Sequence, residues 1–112
     1  MRLAVSLASL AFIVLVGTAG AQDSETKKSV PDPEKGATLA QRWCASCHIV
    51  SPGQRSGIDG TPSFAAIAGR ENFNVEKLAF FLLDPHPVMP RMALSRNEAR
   101  DLAAYIAKQR AN

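Results

Sequence analysis

Apolar residues recur at intervals of three and four positions in several segments after residue 32, and this spacing predicts amphipathic α-helices. The first predicted helix begins at Pro33, because Asp32 can cap the first backbone amides and proline suits the first helical position. Its apolar face carries Gly36, Leu39, Ala40, Trp43 and Cys47. A cysteine motif closes this helix.

Two further helices are predicted in the middle of the chain. A short one covers Phe64 to Ala68 and ends at Gly69. The next runs from Asn74, its candidate cap, to Asp84, where a following proline ends it. The apolar face of this helix carries Val75, Leu78, Ala79 and Leu82. Phe80, Phe81 and Leu83 are predicted to widen this face.

The last predicted helix has the clearest start signal, a capping box formed by Ser95 and Glu98. Its apolar face carries Ala99, Leu102, Ala103 and Ile106. No segment shows the period-two alternation of a half-buried strand. The sequence therefore predicts an all-α fold of roughly three to five helices.

Two stretches without apolar periodicity read as loops. Residues 51–62 are rich in glycine and proline and are typical of a surface loop. Residues 85–90 contain three prolines, which remove backbone donors and restrict the preceding residues to extended conformations. The second loop is therefore expected to be irregular and stiff.

The N-terminal segment has the features of an export signal. Arg2 precedes an apolar run from Leu3 to Val16, and Ala19 and Ala21 form a small-residue cleavage site. A bilayer of ~30 Å needs about 20 apolar residues, and the run is shorter than this, which favours cleavage over the alternative of a retained membrane anchor. No other segment of the chain could cross a membrane. We expect a cleavable signal peptide over residues 1–21, a flexible polar tail over 22–32 and one domain over 33–112.

Charge excludes one class of partner. The formal net charge is +3, and the basic and acidic residues are interspersed rather than grouped. Binding along a phosphate backbone requires a basic stripe or cluster, which this chain lacks. Nucleic-acid binding is therefore not expected.

The only two cysteines lie in the motif Cys44-Ala45-Ser46-Cys47-His48. C-x-x-C-H is the attachment motif of c-type haem, since two thiols about one helical turn apart reach the two vinyl groups and His48 reaches the iron. A thiol–disulfide oxidoreductase is the alternative, but it needs a βαβ framework with the cysteines at a helix N-terminus. A zinc site would have to recruit the distant His86 as its fourth ligand.

A second axial iron ligand is available in the proline-rich loop. Met89 stands between Val88 and Pro90, in a setting that limits its freedom. Met92 and His86 are the alternative ligands. With none of them bound, the protein would be an open-site haem protein, such as a gas sensor or a small peroxidase.

Taken together, the C-x-x-C-H motif, a mid-chain Gly60-x-Pro62, the Met89-Pro90 loop and the closing helix resemble class I c-type cytochromes, especially small bacterial monohaem ones. The resemblance covers Pro33 to Arg110. It implies that Cys44 and Cys47 bind one haem c covalently and that His48 and Met89 are the axial iron ligands. It also implies that the Pro62 carbonyl accepts a hydrogen bond from His48, and that Gly36 and Tyr105 let the first and last helices cross closely.

The function expected from this resemblance is one-electron transfer in the bacterial periplasm by a carrier that is not an enzyme. Its partners would be redox proteins, as donor and acceptor, and the carrier is expected to be a monomer with no membrane span after signal cleavage. Trp43 departs from the family pattern and is expected to pack against a helix or the haem edge. The candidate steering charges near that edge are Arg42, Arg55 and Arg91.

Overall fold

The structure is a computed structural model that describes residues 29–111. Within these residues the chain forms helices and no strands, which confirms the predicted all-α fold class. The four helices are α1 Pro33–Trp43, α2 Phe64–Ala68, α3 Val75–Leu83 and α4 Arg96–Lys108. None of the helices in this part is long and apolar enough to cross a membrane. The predicted signal peptide and residues 22–28 of the predicted tail lie outside the described residues, so the domain boundaries stay predictions.

Each helix begins at a side chain that accepts hydrogen bonds from the amides of its first turn. Asp32 accepts from two amides of α1, at 3.0 and 3.3 Å. Ser63 caps α2 and Asn74 caps α3. At α4, Ser95 and Glu98 form the predicted capping box, and these hydrogen bonds lower the pKa of the Glu98 carboxyl. Because the caps satisfy backbone amides that have no partner within the helix, they set where each helix starts.

α4 is the helix on which the others pack. α1, α2 and α3 each contact α4, whereas α1 and α3 do not contact each other. The predicted apolar face of α4 is buried, as Ala99, Leu102, Ala103 and Ile106 are each at most 2 % exposed. The core therefore forms around one face of α4, with a gap left between α1 and α3.

The crossing of α1 and α4 depends on a missing side chain. A Cβ atom at Gly36 would overlap the backbone carbonyl of Asp101 and lie 2.8 Å from the Cβ of Tyr105. The predicted close approach at Gly36 and Tyr105 is confirmed. The buried carboxylate of Asp101 also accepts a hydrogen bond from the Asp32 amide at 2.7 Å, which ties the start of α1 to α4.

The apolar face of α3 is narrower than the sequence predicts. Ala79 and Leu82 are buried and Leu78 is half-buried, but Val75 is 37 % exposed. Val75, which was predicted on the same apolar face, is less covered because it occupies the first turn of α3, one turn ahead of Ala79. The prediction that Phe80, Phe81 and Leu83 widen the packed face was wrong, since they are 77, 39 and 38 % exposed.

Replacing Gly36 by alanine is expected to destabilise the domain. The added methyl group meets backbone of α4, which moves only if the two helices separate, and overpacking of this kind costs about 1–3 kcal/mol. Urea unfolding of the haem-loaded protein measures the change. Gly53→Ala is the matched control, because a Cβ there meets nothing within 4 Å. Equal free energies of unfolding for the two variants would contradict the close crossing.

Candidate functional site

A cavity of about 620 Å³ lies in the gap between α1 and α3. Its walls come from the end of α1 with the cysteine motif, the loop that ends at Pro62, the end of α2, one side of α3 and the proline-rich loop after α3. Most of its lining is apolar, and its volume is within the range of roughly 300–1,000 Å³ found for cofactor sites. The cavity is large enough and apolar enough to hold a cofactor.

The cysteine motif forms a tight turn that continues from α1. The Cys44 amide donates to the Ala40 carbonyl at 2.9 Å, and the His48 amide donates to the Cys44 carbonyl at 2.9 Å. Cys44 is 4 % exposed, whereas Cys47 is half-buried, and neither thiol is in a disulfide. The turn brings both thiols and the imidazole to the cavity wall.

The environment of Cys44 is unsuited to thiol–disulfide exchange. Burial, together with the neighbouring Cys47, raises the pKa of the Cys44 thiol to about 11. Reactive cysteines of that class have a lowered pKa because they lie at a helix N-terminus or beside a positive charge. Here the pair follows the C-terminus of α1, and the described residues contain no strand. The geometry therefore does not support the oxidoreductase alternative.

His48 is held at both its ring and its backbone. The side chain is 8 % exposed, and Nδ1 lies 2.6 Å from the Pro62 carbonyl oxygen. Because a carbonyl oxygen only accepts, Nδ1 must carry the proton and donate, which leaves the lone pair of Nε2 free for a metal. The Phe64 ring lies beside the imidazole, with their centroids 5.7 Å apart.

Tyr105 links α4 to the segment that follows the motif. Its hydroxyl donates to the Val50 carbonyl at 2.8 Å. Its ring packs edge-on against the Phe64 ring, with the two ring centroids 6.2 Å apart. Burial raises the pKa of Tyr105, with a smaller effect of the Glu34 carboxylate, so the hydroxyl keeps its proton and its role as donor at neutral pH. Tyr105 thus contributes to the site as well as to the helix crossing.

All three candidates for the second axial ligand line the cavity. Met89 is half-buried and lies in a turn in which its amide donates to the His86 carbonyl at 2.9 Å. Met92 is 4 % exposed and belongs to the hydrophobic core. His86 is exposed, and its ring packs against the Phe81 ring, with the two ring centroids 5.9 Å apart.

The charged residues at the cavity differ from those that the sequence indicated. Arg70 and Lys77 line the cavity, whereas the predicted steering residues Arg42, Arg55 and Arg91 do not. The Arg42 guanidinium lies 5.0 Å from the ring centroid of Trp43, which is 36 % exposed and lines the cavity. Arg91 pairs with Asp84 at 3.3 Å in an exposed salt bridge. Sequence spacing carried no signal for Arg70 and Lys77, since they follow α2 and lie within α3 respectively.

Gln54 is a site residue that sequence reasoning missed. Its side-chain oxygen accepts from the Val50 amide at 3.0 Å. Its side-chain nitrogen lies within hydrogen-bond distance of the carbonyl oxygens of Ala45, His48 and Ser56, at 3.0, 2.7 and 2.8 Å. The sequence around Gln54 carries no signal for this role, because the carbonyls that surround its amide come together only in the folded chain.

The residues of the cavity fit a covalently bound haem. Cys44 and Cys47, the His48 imidazole and the Met89 thioether all line the same apolar space. Within residues 29–111, no group of three or more His, Cys, Asp or Glu side chains could hold a metal ion alone. A zinc site therefore has no support in the described part.

Comparison with known proteins agrees with this geometry. Residues 31–106 match the family model described as cytochrome c oxidase, cbb3-type, subunit III. The chain belongs to the cytochrome c family. Cytochrome c-552 of Bradyrhizobium diazoefficiens is 55 % identical to this cytochrome over 87 residues, covering 78 % of this chain and 84 % of the relative.

Membership of the cytochrome c family establishes the cofactor and the general role. This cytochrome carries covalent haem c and transfers electrons rather than transforming a substrate. Its partners are accordingly redox proteins. The C-x-x-C spacing of Cys44 and Cys47 fits the attachment of that haem.

Replacing Tyr105 by phenylalanine is expected to weaken the fold while leaving the haem absorption spectrum intact. The ring contact with Phe64 is kept, but the carbonyl of the fully buried Val50 loses its donor, which costs about 1–3 kcal/mol. Urea unfolding followed by circular dichroism measures the loss. An unchanged free energy of unfolding would show that this hydrogen bond contributes nothing.

Proposed function

We propose that this cytochrome is a periplasmic one-electron carrier in which His48 and Met89 are the axial ligands of the haem iron. The observation that carries the proposal is the hydrogen bond from His48 Nδ1 to the Pro62 carbonyl, at 2.6 Å, in a cavity that Met89 also lines. This bond assigns the proton to Nδ1 and reserves Nε2 for iron. Cys44 and Cys47 are the proposed attachment points, and Pro62 is the residue that orients the imidazole.

Met89 is preferred to the other two candidates because of its surroundings. Met92 is a core residue at 4 % exposure, and its packing already accounts for its position. Met89 lies in a turn flanked by prolines, where little conformational freedom is lost when a weak thioether bond forms. The exposed His86 packs its ring on Phe81 and would have to leave that contact.

The proposed ligand set favours a relatively high reduction potential. The bound haem supplies one-electron redox chemistry between ferric and ferrous iron. A thioether from Met89 stabilises ferrous iron better than a second imidazole would. The apolar lining of the cavity disfavours the additional positive charge of ferric iron, because burial in apolar surroundings disfavours any ion.

The charges at the rim of the cavity support a docking site there for a redox partner. Among the described residues, the charged side chains lining the cavity are Arg70 and Lys77, and no carboxylate lines it. A positive rim accelerates encounter with a partner that carries negative charge, and salt screens this effect. We propose that donor and acceptor approach at this rim.

The periplasmic location rests on the predicted export segment, residues 1–21. In an oxidising compartment such as the periplasm, a pair of cysteines either forms a disulfide or binds haem covalently, and the chain has only the two cysteines of the motif. A bacterial cytochrome is among its relatives. We propose that the mature chain works as a monomer.

Met89→Ala tests the ligand assignment. In the unsubstituted ferric protein we expect the weak near-infrared band of a sulfur–iron bond, and we expect this variant to lose the band and to bind carbon monoxide when reduced. Met92→Leu is the matched control, because it keeps the core volume and should retain the band.

Two outcomes would contradict the assignment. If Met89→Ala kept the band while Met92→Leu lost it, Met92 would be the ligand. If the unsubstituted protein lacked the band and bound carbon monoxide readily, the open-site haem protein would be the correct class.

A further inference from the structure

Gln54 occupies a junction between the cysteine motif and the loop that leads to Pro62. Its side-chain nitrogen faces the carbonyls of Ala45 and His48, which belong to the motif, and of Ser56, which belongs to the loop. Its side-chain oxygen accepts from the Val50 amide, two residues after His48. One side chain therefore connects backbone groups on both sides of His48.

The chemistry of these partners defines the orientation of the amide. A glutamine amide has two donor hydrogens on nitrogen and an acceptor oxygen. Three carbonyl oxygens surround the nitrogen, so its two hydrogens are shared among them, and the flipped amide would set oxygen against oxygen. Neither an apolar nor a carboxylate side chain could make this set of bonds.

The loop lies directly against the motif. The Ile58 amide donates to the Cys47 carbonyl at 2.8 Å, and a Cβ atom at Gly57 would lie 2.7 Å from the same oxygen. The loop then reaches Pro62, whose carbonyl accepts from His48 Nδ1. The position of the Pro62 carbonyl relative to the imidazole thus depends on how the loop is aligned against the motif.

We infer that Gln54 is a positioning residue for His48, and that its amide sets the reduction potential by holding the Pro62 carbonyl in line with Nδ1. The inference rests on the proposed ligation of iron by His48. A carbonyl that accepts strongly from Nδ1–H makes the imidazole a more basic ligand, which favours ferric iron. When the loop is held less firmly against the motif, the hydrogen bond from His48 to Pro62 weakens and the reduction potential rises.

Gln54→Leu tests this inference in the haem-loaded protein. Leucine has a similar volume, carries no charge and makes none of the four hydrogen bonds. We expect a higher reduction potential than in the unsubstituted protein, together with changed chemical shifts of the haem methyl protons, which report the orientation of the axial imidazole. An unchanged or lower potential in the folded variant overturns the inference.

Two control variants separate positioning from general stability. Ser95→Ala removes the cap of α4 and lowers stability without touching the site, and it should leave the potential unchanged. Gln41→Ala removes an exposed glutamine from α1 and should change neither property. If Ser95→Ala raised the potential as much as Gln54→Leu, the effect would come from stability alone and the inference would be wrong.

A measurement on the unsubstituted protein covers the case in which Gln54→Leu fails to fold. The side-chain amide hydrogens of Gln54 should exchange with solvent at least about fivefold more slowly than those of Gln41, since a net hydrogen bond slows exchange by about this factor. Equal exchange rates would overturn the inference. Failure of the proposed ligation by Met89 would appear separately, as a missing sulfur–iron band in the unsubstituted protein, whereas the inference about Gln54 depends only on ligation by His48.

Discussion

The structure depends on a gap between two helices that share a neighbour. α1 and α3 each pack on α4 but do not contact each other, and the cavity of about 620 Å³ lies between them. The close crossing at Gly36 places α1 against α4, and this also sets the direction in which the cysteine motif leaves α1. Small domains bury too little apolar surface to leave such a space unfilled. The haem of this cytochrome is therefore the missing part of its hydrophobic core.

The position of His48 follows from contacts made by three different parts of the chain. The turn that carries His48 continues from the end of α1, and the Pro62 carbonyl fixes the His48 ring through a hydrogen bond. The Gln54 side chain donates a hydrogen bond to the backbone carbonyl of His48. Phe64 packs on the imidazole and in turn contacts Tyr105 of α4. A redox centre held from several directions changes little in geometry when iron changes its charge, which suits a carrier of single electrons.

Local chemistry explains why the helices could be predicted well from the sequence. The caps Asp32, Asn74 and Ser95 act through hydrogen bonds to residues two or three positions away, so their effect can be read without knowledge of the fold. The C-x-x-C-H motif is equally local. Helical periodicity also identified the buried face of α4, which packs along most of its length.

The features that were missed depend on contacts between distant segments. Nothing in the spacing around Arg70 and Lys77 shows that they line the cavity, because the packing of α2 and α3 brings them there. Val75 fits the apolar period but lies one turn before α3 reaches its buried positions. Gln54 was not singled out, because its importance lies in which carbonyls surround it. Periodicity reports a face of a helix, and only packing decides how much of that face is covered.

The most direct test of this account is to measure the fold of the mature chain without haem. The double variant Cys44→Ala/Cys47→Ala removes both attachment points, and its amide NMR spectrum and urea unfolding can be compared with those of the haem-loaded protein. We predict poorly dispersed amide signals and no cooperative unfolding transition, because the gap between α1 and α3 would be left unfilled. A well-dispersed spectrum with a cooperative transition would contradict the claim that haem completes the core.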